Sequence, residues 1–173
     1  MFFELVGTVM AGIAAALLVY ALRVWKPDIV PRWLLPVAAG AAMIAAAVSS
    51  EYGWYSRVSA QLPDTFVVAQ THEERAALRP WTFLVSYTSR FVAVDTGSTQ
   101  TNPQVPGQRM VDLYFFGRWA PVQRMTVLWD CAGGRTAAMG ADAEFDDSGQ
   151  VANANWQQIA PDDPVFRAAC AEA

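Results

Sequence analysis

The chain has 173 residues, room for about one domain of ordinary size, which excludes a large multidomain enzyme. Hydrophobic residues make up 54% and charged residues 16%, too apolar a balance for a disordered or wholly water-soluble protein. The net charge of −4 excludes a nucleic-acid partner, because phosphate binding requires clustered Lys and Arg.

The excess apolarity lies at the front. Leu5 to Leu22 carries no charge, spans about 27 Å as a helix and is expected to cross a bilayer. Trp33 to Ser50 is a second uncharged run of similar length and is expected to cross back. Residues 1–50 are therefore expected to form a transmembrane hairpin. Arg23, Lys26 and Arg32 lie between the two runs while the N-terminal flank offers only Glu4, so the positive-inside rule puts this loop in the cytoplasm. Both the N-terminus and everything after Ser50 then face the side opposite the cytoplasm. A secretory signal peptide is the competing reading of Leu5 to Leu22, but its basic residues follow the apolar run instead of preceding it. Trp25, Trp33, Tyr52, Trp54 and Tyr55 flank the runs and are expected at the headgroup level, where amphipathic rings are favoured. Glu4 is expected at the interface. Gly12 with Ala16, and Ala38 with Ala42 and Ala46, recur at four-residue spacing, which lets helix backbones approach closely in lipid. Either the two helices use these faces on each other, or a helix of another subunit packs there.

Residues 51–173 carry nine Arg and no Lys against fourteen acidic residues, a net of −5. Runs of β-branched and aromatic residues predict strands at Phe66 to Val68, Trp81 to Val85 and Phe91 to Val94. The only histidine, His72, stands in Thr71-His72-Glu73-Glu74, which reads as a capping box opening a short helix through Leu78. Thr96 to Gln108, polar with two prolines, reads as a long exposed loop. Met110 to Phe116 and Val122 to Asp130 predict two further strands, the turn Cys131 to Gly134 leads into another that runs through Met139, and Val151 to Trp156 is the last. Short sequential connections imply an antiparallel meander. Asp163 and Pro164 open a final helix as N-cap and first helical residue, placing Phe166, Ala169 and Cys170 on one face. The fold class expected is thus an α+β membrane protein: a two-helix transmembrane hairpin, then a small antiparallel β domain with a C-terminal helix. Cys131 and Cys170 are the only cysteines, and in an oxidising compartment they are expected to pair; with the topology inverted they would stay free thiols.

The run Leu128-Trp129-Asp130-Cys131, then Arg135, Phe145 to Val151, Trp156, Ile159 to Asp163 and the final Cys170 resembles the surface-adhesin protein E-like domains of Gram-negative bacteria. The resemblance covers about residues 110–171 and implies a small exported antiparallel domain closed by a cysteine near its end.

One histidine forbids multi-histidine metal arrangements within one chain, and His72, read as part of a cap, is not expected to serve a Ser/His/Asp or Cys/His arrangement. Asp142, Glu144, Asp146 and Asp147 lack the order and closing Glu of a calcium loop and read as a solvated turn. No cofactor, metal, catalytic residue or small-molecule substrate is expected. The function expected is that of a non-catalytic accessory subunit of an integral membrane protein complex in the inner membrane, with respiratory and photosynthetic complexes as natural hosts. The hairpin would pack on partner helices in the lipid bilayer and the periplasmic domain would cover a partner surface. The alternative is a free-standing, membrane-anchored binding or adhesin-like module.

Overall fold

In the computed structural model, residues 2–76, 79–105, 107–140, 151–152 and 154–171 are described. Two units divide the chain, Met1–Ser56 and Arg57–Ala173.

The first unit is a helical pair, α1 (Phe2–Trp25) and α2 (Leu34–Tyr52). Both helices are long and apolar enough to cross a membrane, about 36 Å and 28 Å at 1.5 Å per residue. Each runs past the uncharged stretch that marked it. Arg23 sits in the last turn of α1, where a long cationic side chain can reach the interface and meets the negative end of the helix dipole. Pro27 stops α1, because a residue before proline is disfavoured in helical geometry. Pro36 is tolerated in the first turn of α2, where its missing N–H has no helical partner to lose. Gly53 closes α2 with an N–H bond to the Ser49 carbonyl at 3.0 Å, and a short helix α3 (Trp54–Ser59) follows.

Small residues set the seam of the pair. Glu4, Thr8, Ala11, Gly12, Ala15, Ala16 and Val19 form the covered stripe of α1, at helical spacing. Ala38, Ala39, Ala42, Met43 and Ala46 are likewise half-buried on α2. Gly12 is the one fully buried residue of α1, and a Cβ there would lie 2.8 Å from Met43 Cγ. A larger residue there would have to displace the Met43 side chain. Near the other end of the seam the Ser50 hydroxyl donates to Glu4 Oε1 at 3.0 Å. The outer face of α1 carries Phe3, Met10, Leu17 and Leu18, all exposed.

The second unit is a six-stranded antiparallel meander in the order β1 (Phe66–Glu74), β2 (Tyr87–Thr101), β3 (Gln108–Gly117), β4 (Gln123–Asp130), β5 (Arg135–Ala138) and β6 (Gln157–Gln158), with a final helix α4 (Pro164–Cys170). Val94, Val111, Leu113, Val127 and Trp129 of the central strands point to one face. Phe166 and Ala169 of α4 complete that core. The Asp163 carboxylate accepts the N–H groups of Val165 and Phe166 at 2.8 and 3.0 Å, the expected cap. Cys131, just beyond β4, is bonded to Cys170 at the end of α4, with Cα atoms 5.7 Å apart. The opposite face carries aromatic pairs: Phe91 stacks on Phe116 at 4.6 Å and Phe66 meets Tyr114 at 5.0 Å.

Four local expectations are corrected. Thr71 to Glu74 form no helix start; they pair with Phe91, Arg90, Thr88 and Tyr87 as the end of β1, so the ladder to β2 takes up the backbone groups a cap would have served. Trp81 to Val85 form no strand. Pro80–Phe83 is a 3-10 helix, since Pro80 has no N–H for a ladder and its fixed φ suits a helical first turn. The Thr96 to Gln108 loop shrinks to residues 102–107, because β2 continues across an irregularity between Asp95 and Gln100. Ser98 repairs that irregularity: its hydroxyl donates to the Asp95 carbonyl at 2.7 Å and accepts the Asp112 N–H at 3.0 Å. Val151 makes an isolated bridge, and the last strand lies at Gln157–Gln158 instead of Val151 to Trp156. The acidic cluster from Asp142 to Asp147 and the end of the expected helix at Leu78 lie outside the described residues.

Candidate functional site

Strand register places a concave patch on the helix-bearing face of the sheet, at the end where β3 turns into β4. Gln70, Val92, Phe115 and Gln123 form one row across β1 to β4. His72, Arg90 and Gly117 form the next row outward. The β3–β4 connection supplies a wall through Ala120 and Pro121, and these residues line a cavity of about 370 Å³. Gly117 lets the wall approach closely, since a Cβ there would stand 3.1 Å from the Ala120 Cβ. The side chains of Gln70, His72, Arg90 and Gln123 make no hydrogen bond or ion pair with other described residues. Among the described lining residues, the ionisable side chains are those of His72 and Arg90. Val92 and Phe115, half-buried, supply an apolar floor.

A second feature of the same unit is an apolar loop. Thr82 is wholly buried; its Oγ1 accepts the Ala76 N–H at 2.9 Å and donates to the Arg79 carbonyl at 2.7 Å. The Leu84 and Val85 N–H groups both bond the Trp81 carbonyl at 3.1 Å. A backbone fixed in this way turns Phe83, Leu84 and Val85 outward at 57%, 89% and 60% exposure, with Trp81 at 38%. Large apolar side chains held in water by a polar pin at their centre are not explained by core packing.

Two carboxylates stabilise the sheet without lying in the cavity. Asp112 is buried and accepts from Arg124 Nη2 at 2.7 Å and Thr126 Oγ1 at 2.6 Å. The hydrogen bond and the charge of Asp112 raise the Arg124 guanidinium above its usual value. Asp130 organises the β4–β5 turn: Oδ1 accepts the Gly133 N–H at 2.8 Å, and Oδ2 accepts from Arg135 Nε and Nη2 at 3.1 and 2.5 Å. Arg135 also lies 5.0 Å over the Trp156 ring. The hydrogen bonds from Arg135 hold the Asp130 carboxyl below the usual carboxylate range, against the opposing effect of burial.

A depressed carboxylate stabilises the folded state above its unfolded pKa, and that contribution is lost as pH falls through its folded pKa. Arg135→Gln should therefore reduce stability by a full increment above about pH 4, with wild type and variant converging as pH drops further. Urea unfolding of both proteins at a series of pH values measures the gap. A gap that stays constant into strong acid would assign the loss to Trp156 packing instead.

Of the residues singled out in the sequence, Cys131 and Cys170 meet as a disulfide. Gly12, Ala16, Ala38, Ala42 and Ala46 all lie on the covered stripes of the helical pair. Trp25 and Trp33 are exposed beside the connecting loop, Tyr52 and Tyr55 are half-buried, and Trp54 is buried. His72, read there as part of a cap, lines the cavity. Arg90, Gln70, Gln123 and Phe115 were not anticipated, because only strand register shows that they converge. The apolar loop had a signal, an uncharged run from Pro80 to Ser86 opened by proline, that alternation with β-type residues concealed. Among the described residues, no group of three His, Cys, Asp or Glu could hold a metal ion. Comparison with protein-family models, with curated proteins and with solved structures gives no match to this chain.

Proposed function

We propose that the chain is a non-catalytic accessory subunit of a membrane protein complex in a bacterial inner membrane, with a respiratory or photosynthetic assembly as a natural host. The hairpin anchors it, both termini face the periplasm, and the C-terminal unit covers a surface of the partner. One observation carries the reading: the pinned loop at Trp81, Phe83, Leu84 and Val85 presents a preorganised, contiguous apolar patch. The paired apolar helices and the disulfide support a membrane anchor and an oxidising compartment. Small residues already fill the seam between α1 and α2, so the bulky outer faces would meet lipid and partner helices.

Leu84→Asp is the test. Both substituted and unsubstituted chains are extracted in mild detergent and isolated by an affinity tag. The unsubstituted chain should carry a partner in fixed ratio, and Leu84→Asp should lose most of it, on the order of tenfold or more, as expected for a charge buried in an apolar contact. Its urea midpoint should hardly move, because an exposed substitution stays within about 0.5 kcal/mol. A chain that elutes alone, as a monomer, would overturn the proposal in favour of the free-standing, adhesin-like module.

A further inference from the structure

The geometry points to a ligand site in the cavity between β1, β2 and the β3–β4 connection, selective for a small organic carboxylate with an apolar body. This goes beyond the docking role and does not depend on it, since the cavity residues and the apolar loop share no side chain.

Three observations converge on that chemistry. The first is charge: His72 and Arg90 are neighbours in register, and among the described lining residues they are the ionisable groups, with no carboxylate beside them. In a unit where acidic residues outnumber Arg, a basic pair among the described lining residues is a local departure that complements an anion. Glu73, the nearest acid in sequence, accepts the Ser86 hydroxyl. The second is donor geometry. The Arg90 guanidinium can grip both oxygens of a carboxylate through its planar fork, and it makes no ion pair with another described residue. His72 and the amides of Gln70 and Gln123 add further donors to the lining, also free of partners among the described residues. The third is the floor: Val92 and Phe115 lie between the two glutamines in the same row, so the ligand atoms beyond the carboxylate would rest on hydrocarbon. The volume of about 370 Å³ suits a molecule the size of a benzoate or a branched short-chain acid. A free inorganic anion would leave that floor unused.

The probe is 4-fluorobenzoate, followed by fluorine NMR on the full-length chain in detergent micelles, with the neutral 4-fluorobenzyl alcohol as its uncharged counterpart. Saturable broadening of the benzoate signal is expected, with the alcohol bound about tenfold more weakly, as befits a charge-assisted contact. Arg90→Gln should weaken benzoate at least about tenfold and leave the alcohol unchanged, while His72→Gln should weaken it less. Arg90 is exposed, and a urea midpoint matching the unsubstituted chain certifies the fold of each variant. No saturable binding, equal binding of acid and alcohol, or benzoate binding unaltered by Arg90→Gln would each overturn the assignment.

Discussion

Removing the Cys131–Cys170 bridge, by reduction or in the Cys131→Ser/Cys170→Ser chain, is expected to lower the stability of the C-terminal unit by about 4 kcal/mol. The bridge closes a loop of 39 residues in sequence, and a crosslink of that span removes this much chain entropy from the unfolded state. It also ties α4, a helix of seven residues, to the end of β4. A helix this short does not form alone in water, so its structure depends on docking. Domains of this size have roughly 5–15 kcal/mol in total. The loss should therefore lower the melting temperature by about 20 °C, read by near-ultraviolet circular dichroism with the hairpin kept in micelles. A loss below about 1 kcal/mol would mean that the unfolded chain is already compact around the two cysteines.

What the sequence made legible follows the length scale of each signal. The hairpin rests on composition summed over 18 or more residues, and α1 and α2 appear where that sum put them, with ends that differ by one to three residues. The close of the chain is legible for a different reason: Asp163-Pro164 is a local device whose mechanism needs no tertiary context, and both cap hydrogen bonds form. Thr71 to Glu74 shows the limit. The same four residues satisfy a capping box or a strand end, and the choice is made by β2, some fifteen residues later. Trp81 to Val85 fails similarly, because alternating β-type residues outweighed the proline that begins the turn. The cavity was not legible at all. Gln70, Arg90 and Gln123 lie on three strands, and their convergence depends on a register that includes two shifts in β1 against β2.

Phe166→Ala should cost about 3–5 kcal/mol in the oxidised protein. Phe166 is only 8% exposed, its ring centroid lies 6.0 Å from that of Trp129, and it is packed with Val94, Val111, Leu113 and Val127. Truncation leaves a cavity that the sheet cannot fill, since β2, β3 and β4 are fixed by their ladders. The informative measurement is the cycle with the disulfide. Phe166 and Cys170 sit one turn apart on α4 and hold the same element against the same sheet. Where the bridge is gone, α4 spends part of its time undocked, and Phe166 then has less to lose. The two effects should fall short of their sum by at least about 1 kcal/mol. Phe166→Leu, a milder change costing about 1.5 kcal/mol or less, supplies a comparison that stays folded without the bridge. Additivity within about 0.5 kcal/mol in urea unfolding would show that α4 stays docked through its apolar face alone, and would leave the disulfide acting only on the unfolded chain.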